Sequence, residues 1–131
     1  MSAAAYGAEI AKIGREAADA QSSVAQGLHA KTVGELSRRV AAFANASQHI
    51  SDEVAKLNPP QNAEAANTQL AQGLHDIASA TTVASAKIAK MKNVQAAIQY
   101  LEHSSAAREG SRKITGALTT LDQLGYSSTS G

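Results

Sequence analysis

Residues 32–60 read TVGELSRRVAAFANASQHISDEVAKLNPP and carry the most regular helical pattern of the chain. Steps of three and four residues connect one set of positions, all apolar except a serine: Val33, Leu36, Val40, Phe43, Ser47, Ile50, Val54 and Leu57. This repeat is typical of a helix that presents one narrow seam to its neighbours. Phe43, the only phenylalanine, lies at mid-seam, so we expect its ring to fill the widest part of the core.

Both ends of this helix carry recognisable signals. Thr32 and Glu35 form a capping box, because the threonine hydroxyl and the glutamate carboxylate can accept hydrogen bonds from free amides of the first turn. At the other end, Pro59 and Pro60 remove two backbone donors and push the residue before each ring out of the α region. Asn58 is then the expected N-cap of the next helix, with Pro59 at its first helical position.

Apolar stripes elsewhere in the chain predict three further helices. The four predicted helices cover residues 3–26, 33–57, 59–91 and 93–124. Asn93 is the expected N-cap of the last helix and Gly125 its stop. Four helices joined by short loops predict an all-α fold, an antiparallel up-down-up-down four-helix bundle over residues 1–126. Residues 127–131 form a polar tail that is expected to fray.

The core of this bundle is expected to be rich in alanine. The chain has 131 residues, enough for one domain, but only 23 of them are Leu, Ile, Val or Phe, against 29 alanines. Helices that meet through such small side chains must approach one another closely. The sequence therefore predicts narrow, alanine-lined contacts between helices.

The apolar pattern of the fourth helix is interrupted. Its first half has three large apolar residues on one face, namely Val94, Ile98 and Leu101. At about 100° per residue, the side chains of Ile114 and Leu121 point more than about 90° away from that of Leu101 around the helix axis. One unbent helix cannot bury both sets equally.

The interruption itself spans residues 102–113, which contain no large apolar side chain. Gly110 also weakens a helix by about 1 kcal/mol relative to alanine. We therefore expect a kink, local unwinding or a rotation of register near residues 104–111; the alternative is an undistorted helix around which the third helix wraps. Such an interruption is the best candidate for a partner-binding site, with the candidate residues His103, Arg108 and Arg112.

Composition and charge argue against several classes of function. Twelve basic and eleven acidic side chains leave a net charge of +1, and the basic clusters lack the interleaved aromatic residues that bind nucleic acid. The absence of cysteine excludes disulfides and thiolate sites. No uncharged apolar run approaches the roughly 20 residues of a membrane span, and the first residues do not resemble a signal peptide.

Residues with catalytic or ligand-binding chemistry are few. A helical di-metal centre needs a glutamate three residues before an inward-facing histidine, but Gln26 and Gln72 occupy that position before His29 and His75. The nucleophile elbow Gly-x-Ser-x-Gly does not occur. We therefore predict that the protein is not an enzyme and has no catalytic residues, no cofactor and no metal site.

Three motifs support a resemblance to other proteins: Tyr6-x-x-Glu9-Ile10-x-x-Ile13, Leu57-x-Pro59-Pro60 and Leu124-Gly125-Tyr126. Through them the chain resembles, over nearly its whole length, the small helical domains of secreted or membrane-anchored actinobacterial proteins, most of them uncharacterised. The resemblance implies a four-helix bundle without catalysis and an extracytoplasmic location. Cysteines that such domains often carry after the position of Ile13 and near the end are replaced here by Gly14 and a Ser/Thr run, so a cytoplasmic location stays open.

Two functions remain open at this stage. The first is a non-enzymatic helical module that binds another protein or itself, suggested by regular seams and by an alanine-rich surface that a partner can approach closely. The alternative is an amphipathic bundle that binds lipid or another apolar ligand, suggested by the thin core. We favour the first, because narrow seams fit helical partners better than a membrane plane does.

Overall fold

The computed structural model describes residues 1–27 and 29–126. The described residues form helices and no strands, which confirms the all-α class. Its α-helices are α1 (Ala3–Gly27), α2 (Val33–Lys56), α3 (Glu64–Ile88), α4 (Val94–Glu102) and α5 (Ser105–Gln123). A 3₁₀ helix (Gln61–Ala63) leads into α3. The predicted tail, residues 127–131, lies outside the described residues.

Side-chain caps fix the starts of α2 and α4. Thr32 Oγ1 accepts a hydrogen bond from Glu35 N at 3.1 Å, and Asn93 Oδ1 accepts one from Ala96 N at 3.2 Å. Both predicted N-caps are therefore confirmed. The Glu35 carboxylate was expected to accept from a free amide of the first turn, but it accepts from Lys31 N, before the cap, at 3.4 Å.

The start of the third helix differs from the prediction. Asn58 is not an N-cap, because the backbone is still extended at Pro60 (φ −57°, ψ 153°) and then turns into the 3₁₀ helix, where Ala63 N donates to Pro60 O at 2.9 Å. Each proline disfavours the α region for the residue before it, so the regular helix begins only after both rings. The helix predicted over residues 59–91 is thus replaced by a 3₁₀ turn and α3.

The single fourth helix predicted over residues 93–124 is wrong, because the structure divides it into α4 and α5. The expected interruption is present, but it lies at His103 and Ser104. Residues 105–111 are regular helix. The stop after α5 is as predicted, since Gly125 adopts the left-handed φ of 94° that glycine tolerates.

The most extensive interface in the fold joins α2 to α3, which run antiparallel. Side chains of α2 and α3 donate hydrogen bonds across it to backbone carbonyls. Ser51 Oγ donates to Ala71 O at 2.8 Å. Further along, Ser37 and Ser85 each donate to the carbonyl of the other at 3.0 Å. A serine side chain is short, so these bonds require a close approach of the two helices and fix their register.

Most of the buried apolar residues among the described ones form two clusters. The first joins α1, α2, α3 and α5 and includes Tyr6, Ile10, Ile13, Ile50, Val54, Leu70, Ala117 and Leu121. The second joins α2, α3 and α4 and consists of Leu36, Val40, Ala84, Ile88 and Ala97. The seam of α2 contributes to both clusters, which is why this helix organises the fold.

Phe43 belongs to neither cluster, which corrects the expectation that its ring fills the widest part of the core. The ring is half-buried and lines a cleft at the break between α4 and α5. The reason lies in residues 102–113, which bring no large apolar side chain to cover it.

A buried hydrogen-bonded group holds α1 against the first cluster. The Tyr6 hydroxyl donates to Asn67 Oδ1 at 2.8 Å, and Asn67 Nδ2 donates to Val54 O at 3.0 Å. The rings of Tyr6 and Tyr126 meet edge to face, with centroids 5.1 Å apart. Burial raises the pKa of Tyr6 to about 12. Its hydroxyl therefore stays protonated and keeps this donor role.

Two glycines allow α5 to lie close to α3. A Cβ atom at Gly110 would lie 2.6 Å from Ile77 Cγ1 and 3.0 Å from the carbonyl oxygen of Gly73. In the opposite direction, a Cβ atom at Gly73 would lie 2.9 Å from the carbonyl oxygen of Gly110. Gly110 is therefore required for packing, whereas the sequence alone suggests only a weak point in the helix.

We expect Gly110→Ala to lower the free energy of unfolding by about 1–3 kcal/mol, because overpacking this contact outweighs the gain of roughly 1 kcal/mol in helix propensity. Gly7→Ala in α1 is the matched control. Its new Cβ meets nothing closer than Tyr126 Cδ1 at 3.9 Å, so it should raise that free energy by up to about 1 kcal/mol. Urea denaturation measures both changes, and a stabilising Gly110→Ala would contradict the close contact.

Candidate functional site

Two residues separate α4 from α5. His103 lies in the bridge region (φ −102°, ψ 13°), whereas Ser104 is extended (φ −72°, ψ 110°). Ser104 Oγ accepts a hydrogen bond from Ala107 N at 3.3 Å and so caps α5. Arg108 Nη2 donates to Glu102 O at 3.2 Å, a carbonyl that the end of α4 leaves free. One extended residue and two hydrogen bonds therefore define the break.

The break rotates the apolar face of the polypeptide. Ala97 in α4 and Ala117 in α5 are both fully buried. On an unbroken helix their spacing would place them about 200° apart, on nearly opposite faces. Leu101 and Leu121 have the same spacing, and both pack on the core clusters. The chain buries both faces only because Ser104 resets the direction in which the helix presents them.

An apolar cleft of about 250 Å³ opens at the break. The five described α-helices and the junction between α4 and α5 all contribute to its walls. The lining residues are Val24, Val40, Phe43, Ala80, Thr81, Ala84, Leu101, Glu102, Ser104 and Ala107. Leu101 is the last large apolar residue before the break, and Ile114 is the next one after it. The cleft is thus the space that the polar stretch between them does not fill.

Two further depressions, both more open than the cleft, border the break. Tyr100 and Ser104 line both of them. The first, of about 500 Å³, lies along α4 and includes His103. The second, of about 480 Å³, lies between α3 and the break and includes Val83. Among the described residues, Val83 is the most exposed large apolar side chain, at 53%. The Lys87 ammonium lies 5.7 Å from the centroid of the Tyr100 ring.

The structure places the three predicted partner-binding residues at different distances from the break. His103 follows α4 directly and borders the first depression. Arg108 reaches back across the break to the carbonyl of Glu102. Arg112 lies one turn further along α5, where it is exposed and pairs with Glu109 at 3.5 Å. The break therefore brings His103 and Arg108 together but leaves Arg112 apart from them.

The apolar walls of the cleft are the part of the site that sequence reasoning missed. Phe43 and Leu101 were assigned to helix seams and not to a shared opening. The signal was the combination of a large ring at mid-seam with a polar stretch, residues 102–113, in a helix predicted to pack nearby. Only the folded chain shows that the two face each other.

An ion pair beside the second depression joins α5 to α3. Lys113 Nζ lies 2.6 Å from Asp76 Oδ2, and Gln72 Nε2 donates to Asp76 Oδ1 at 2.9 Å. Two hydrogen bonds, the one from Lys113 with the larger effect and the one from Gln72 with the smaller, lower the pKa of Asp76 below its ordinary value of 3.8. The charged form of Asp76 is therefore favoured by folding.

Other kinds of site find no support in the described residues. Among them, no group of three or more His, Cys, Asp or Glu side chains could hold a metal ion. None of the described helices combines the length and the apolar character that a membrane crossing requires. No protein-family model, curated protein or solved structure matches the chain. The geometry of the break is therefore the feature of this chain that bears on function.

Proline substitution tests the break directly. Ser105 is the first residue of α5, a position that suits a proline, and the preceding Ser104 has the extended backbone that a following proline favours. We expect Ser105→Pro to leave the free energy of unfolding unchanged or to raise it by up to about 1 kcal/mol. Ser111→Pro, inside α5, is the matched control and should lower it by about 3 kcal/mol. Equal losses in urea denaturation would mean that the helix continues through the break.

The ion pair predicts a dependence of stability on pH. Because the folded-state pKa of Asp76 lies below the unfolded value of 3.8, the pair contributes stability above that pH and loses it as the pH falls through the folded value. Asp76→Asn should therefore lose less unfolding free energy on acidification than the wild type. Asp122→Asn, at an exposed position of α5, should keep the wild-type dependence. If the unfolding free energies of all three proteins fall in parallel on acidification, the ion pair between Asp76 and Lys113 does not contribute to stability.

Proposed function

We propose that the chain is a non-enzymatic helical module that binds another protein, or a second copy of itself, at the surface around the break. The proposed scaffold is an antiparallel four-helix bundle in which α4 and α5 together occupy the fourth position. Two features support this arrangement: α2 and α3 are antiparallel, and α3 also packs against α5, where Gln69 Nε2 donates to Lys113 O at 3.0 Å.

The observation that carries the proposal is accessible apolar surface beside the break. Val83 is largely exposed, and Phe43 and Leu101 are only half-buried. The cleft and the second depression adjoin, since Ala80 and Ser104 contribute to both. Adjoining apolar side chains that stay open to solvent are typical of surfaces that bind partners.

Polar groups surround this apolar centre. His103 and Arg108 lie at the break itself, and the exposed carboxylates of Glu102 and Glu109 lie beside them. An apolar centre with a polar rim of both signs is the usual composition of a protein interface. The rim would select and orient a partner, whereas the apolar centre would supply most of the binding free energy.

Affinity capture tests the proposal. Val83→Glu places a charge in the second depression, and its exposure makes a folding defect unexpected. Leu124→Glu is the matched control, since Leu124 is also exposed, at 38%, but follows the far end of α5, nearly 30 Å from the break by the rise of about 1.5 Å per residue. We expect a partner from an extract of the source cells to bind the wild type and Leu124→Glu, but not Val83→Glu.

Self-association is measured with the same three proteins by sedimentation over a wide concentration range. A dimer that Val83→Glu abolishes and Leu124→Glu preserves would make the second copy the partner. A strict monomer that captures nothing, or a capture that Val83→Glu leaves unchanged, would contradict the proposal.

A second candidate function is the binding of an apolar ligand, which the cleft itself favours. Its walls are almost wholly hydrocarbon, and they receive side chains from α1, α2, α3, α4 and α5. Mass spectrometry of the protein purified without denaturation would show a retained ligand as added mass. Flotation with neutral and anionic vesicles distinguishes binding of a small ligand from binding to a lipid surface. Only a protein that binds the lipid surface rises with the vesicles.

A further inference from the structure

The cleft differs from the rest of the surface because it offers an occupant almost no hydrogen bonds. The Thr81 hydroxyl donates to Ile77 O at 2.7 Å, inside its own helix. Ser104 Oγ is engaged with the Ala107 amide at 3.3 Å. Among the described residues that line the cleft, Glu102 alone is ionisable, and it is exposed, so its carboxylate stays hydrated at the mouth. An occupant must therefore bind through apolar contact.

The size of the cleft restricts that occupant further. Its volume of about 250 Å³ exceeds the roughly 150 Å³ of an apolar cavity that admits benzene or xenon. It falls below the range of about 300–1,000 Å³ that is usual for larger ligands. A single ring, a fused pair of small rings or a short branched alkyl group fits these limits.

The surrounding packing keeps the cleft from closing. To cover Phe43, α5 would have to move its first turns toward α2 or rotate Ile114 into the gap. At Gly73 and Gly110 the backbones of α3 and α5 already touch, so α5 cannot approach α3 more closely to narrow the cleft. On the other side, Ala97 is fully buried and fixes α4 against the second cluster. The opening is thus set by contacts outside it.

We infer that this cleft is a binding site for a small uncharged apolar molecule. The inference rests on the second candidate function and deepens it, because it names the place and the class of ligand. A charged ligand is disfavoured, since inside the mouth, where Glu102 lies, the cleft supplies no charged group to replace the water that the charge would lose. Phe43 and Leu101 form the two large walls, and the alanines between them set the depth.

Indole is a suitable probe, because the chain contains no tryptophan whose emission would overlap. We expect a saturable shift of indole emission to shorter wavelength as wild-type protein is added, and chemical-shift changes in NMR spectra at Phe43 and Leu101. Octanoate, an alkyl chain with a charged head, should not displace the bound indole. Displacement by octanoate would overturn the restriction to uncharged ligands.

Filling the cleft tests its location. Ala80→Leu and Ala107→Leu each add a side chain at its wall, from α3 and α5, and each should weaken indole binding by about tenfold or more. Ala86→Leu, at an exposed position of α3 outside the cleft, is the matched control and should bind as the wild type does. Circular dichroism establishes which variants fold, and either filling variant alone suffices for the test.

The possible failures are distinguishable. Wild-type affinity in a folded filling variant would overturn the inference, because indole then binds elsewhere, while the second candidate function would survive. An equal loss of indole affinity in Ala86→Leu and in the filling variants would also overturn the inference. If the wild type does not bind indole at all, the cleft is not such a site, and a ligand retained through purification would have to lie on another surface.

Discussion

The close antiparallel contact between α2 and α3 is the constraint on which the rest of the structure depends. Serine hydroxyls reach across it to backbone carbonyls at both halves, through Ser37 with Ser85 and through Ser51 with Ala71. Such bonds fail if either helix slides by one turn, so they set the register as well as the distance. With that register fixed, α3 presents Gly73 to α5 and α2 presents its apolar seam to α1 and α4.

This alanine-rich chain buries its apolar surface mainly by bringing helix backbones close together. Where two backbones meet through Gly73 and Gly110, no side chain lies between them. Where large side chains are few, as opposite Phe43, space remains. Close contact and open cleft therefore have the same origin, since short side chains let helices touch in one place and cannot fill the gap in another. The site follows from the composition of the core.

The sequence predicted the parts of this fold that depend on local chemistry. The seam of α2, the caps at Thr32 and Asn93 and the stop at Gly125 all follow from residues within a turn or two of one another. The all-α class follows from the same periodicity. An interruption in the fourth helix was also predictable, because two apolar faces that cannot be buried together require one.

What the sequence could not show depends on which elements meet. Gly110 was interpreted as a weak point because its helix partner, Gly73, is distant in the chain. Phe43 was assigned to the core because nothing local reveals what lies opposite a seam. The position of the break at Ser104, at the edge of the predicted interval, reflects a balance between a serine cap and the Gly110 contact. The predicted site residues remain a proposal, with His103 and Arg108 at the break.

The extended residue at the break has a consequence for how the chain tolerates changes in length. Leu101 and Leu121 lie about 200° apart on a continuous helix, but a chain shorter by two residues at this point would bring them almost into phase at about 100° per residue. The break is therefore equivalent to a two-residue insertion into an otherwise regular fourth helix. Removal of two residues at this point would let one continuous helix present both leucines to the same side.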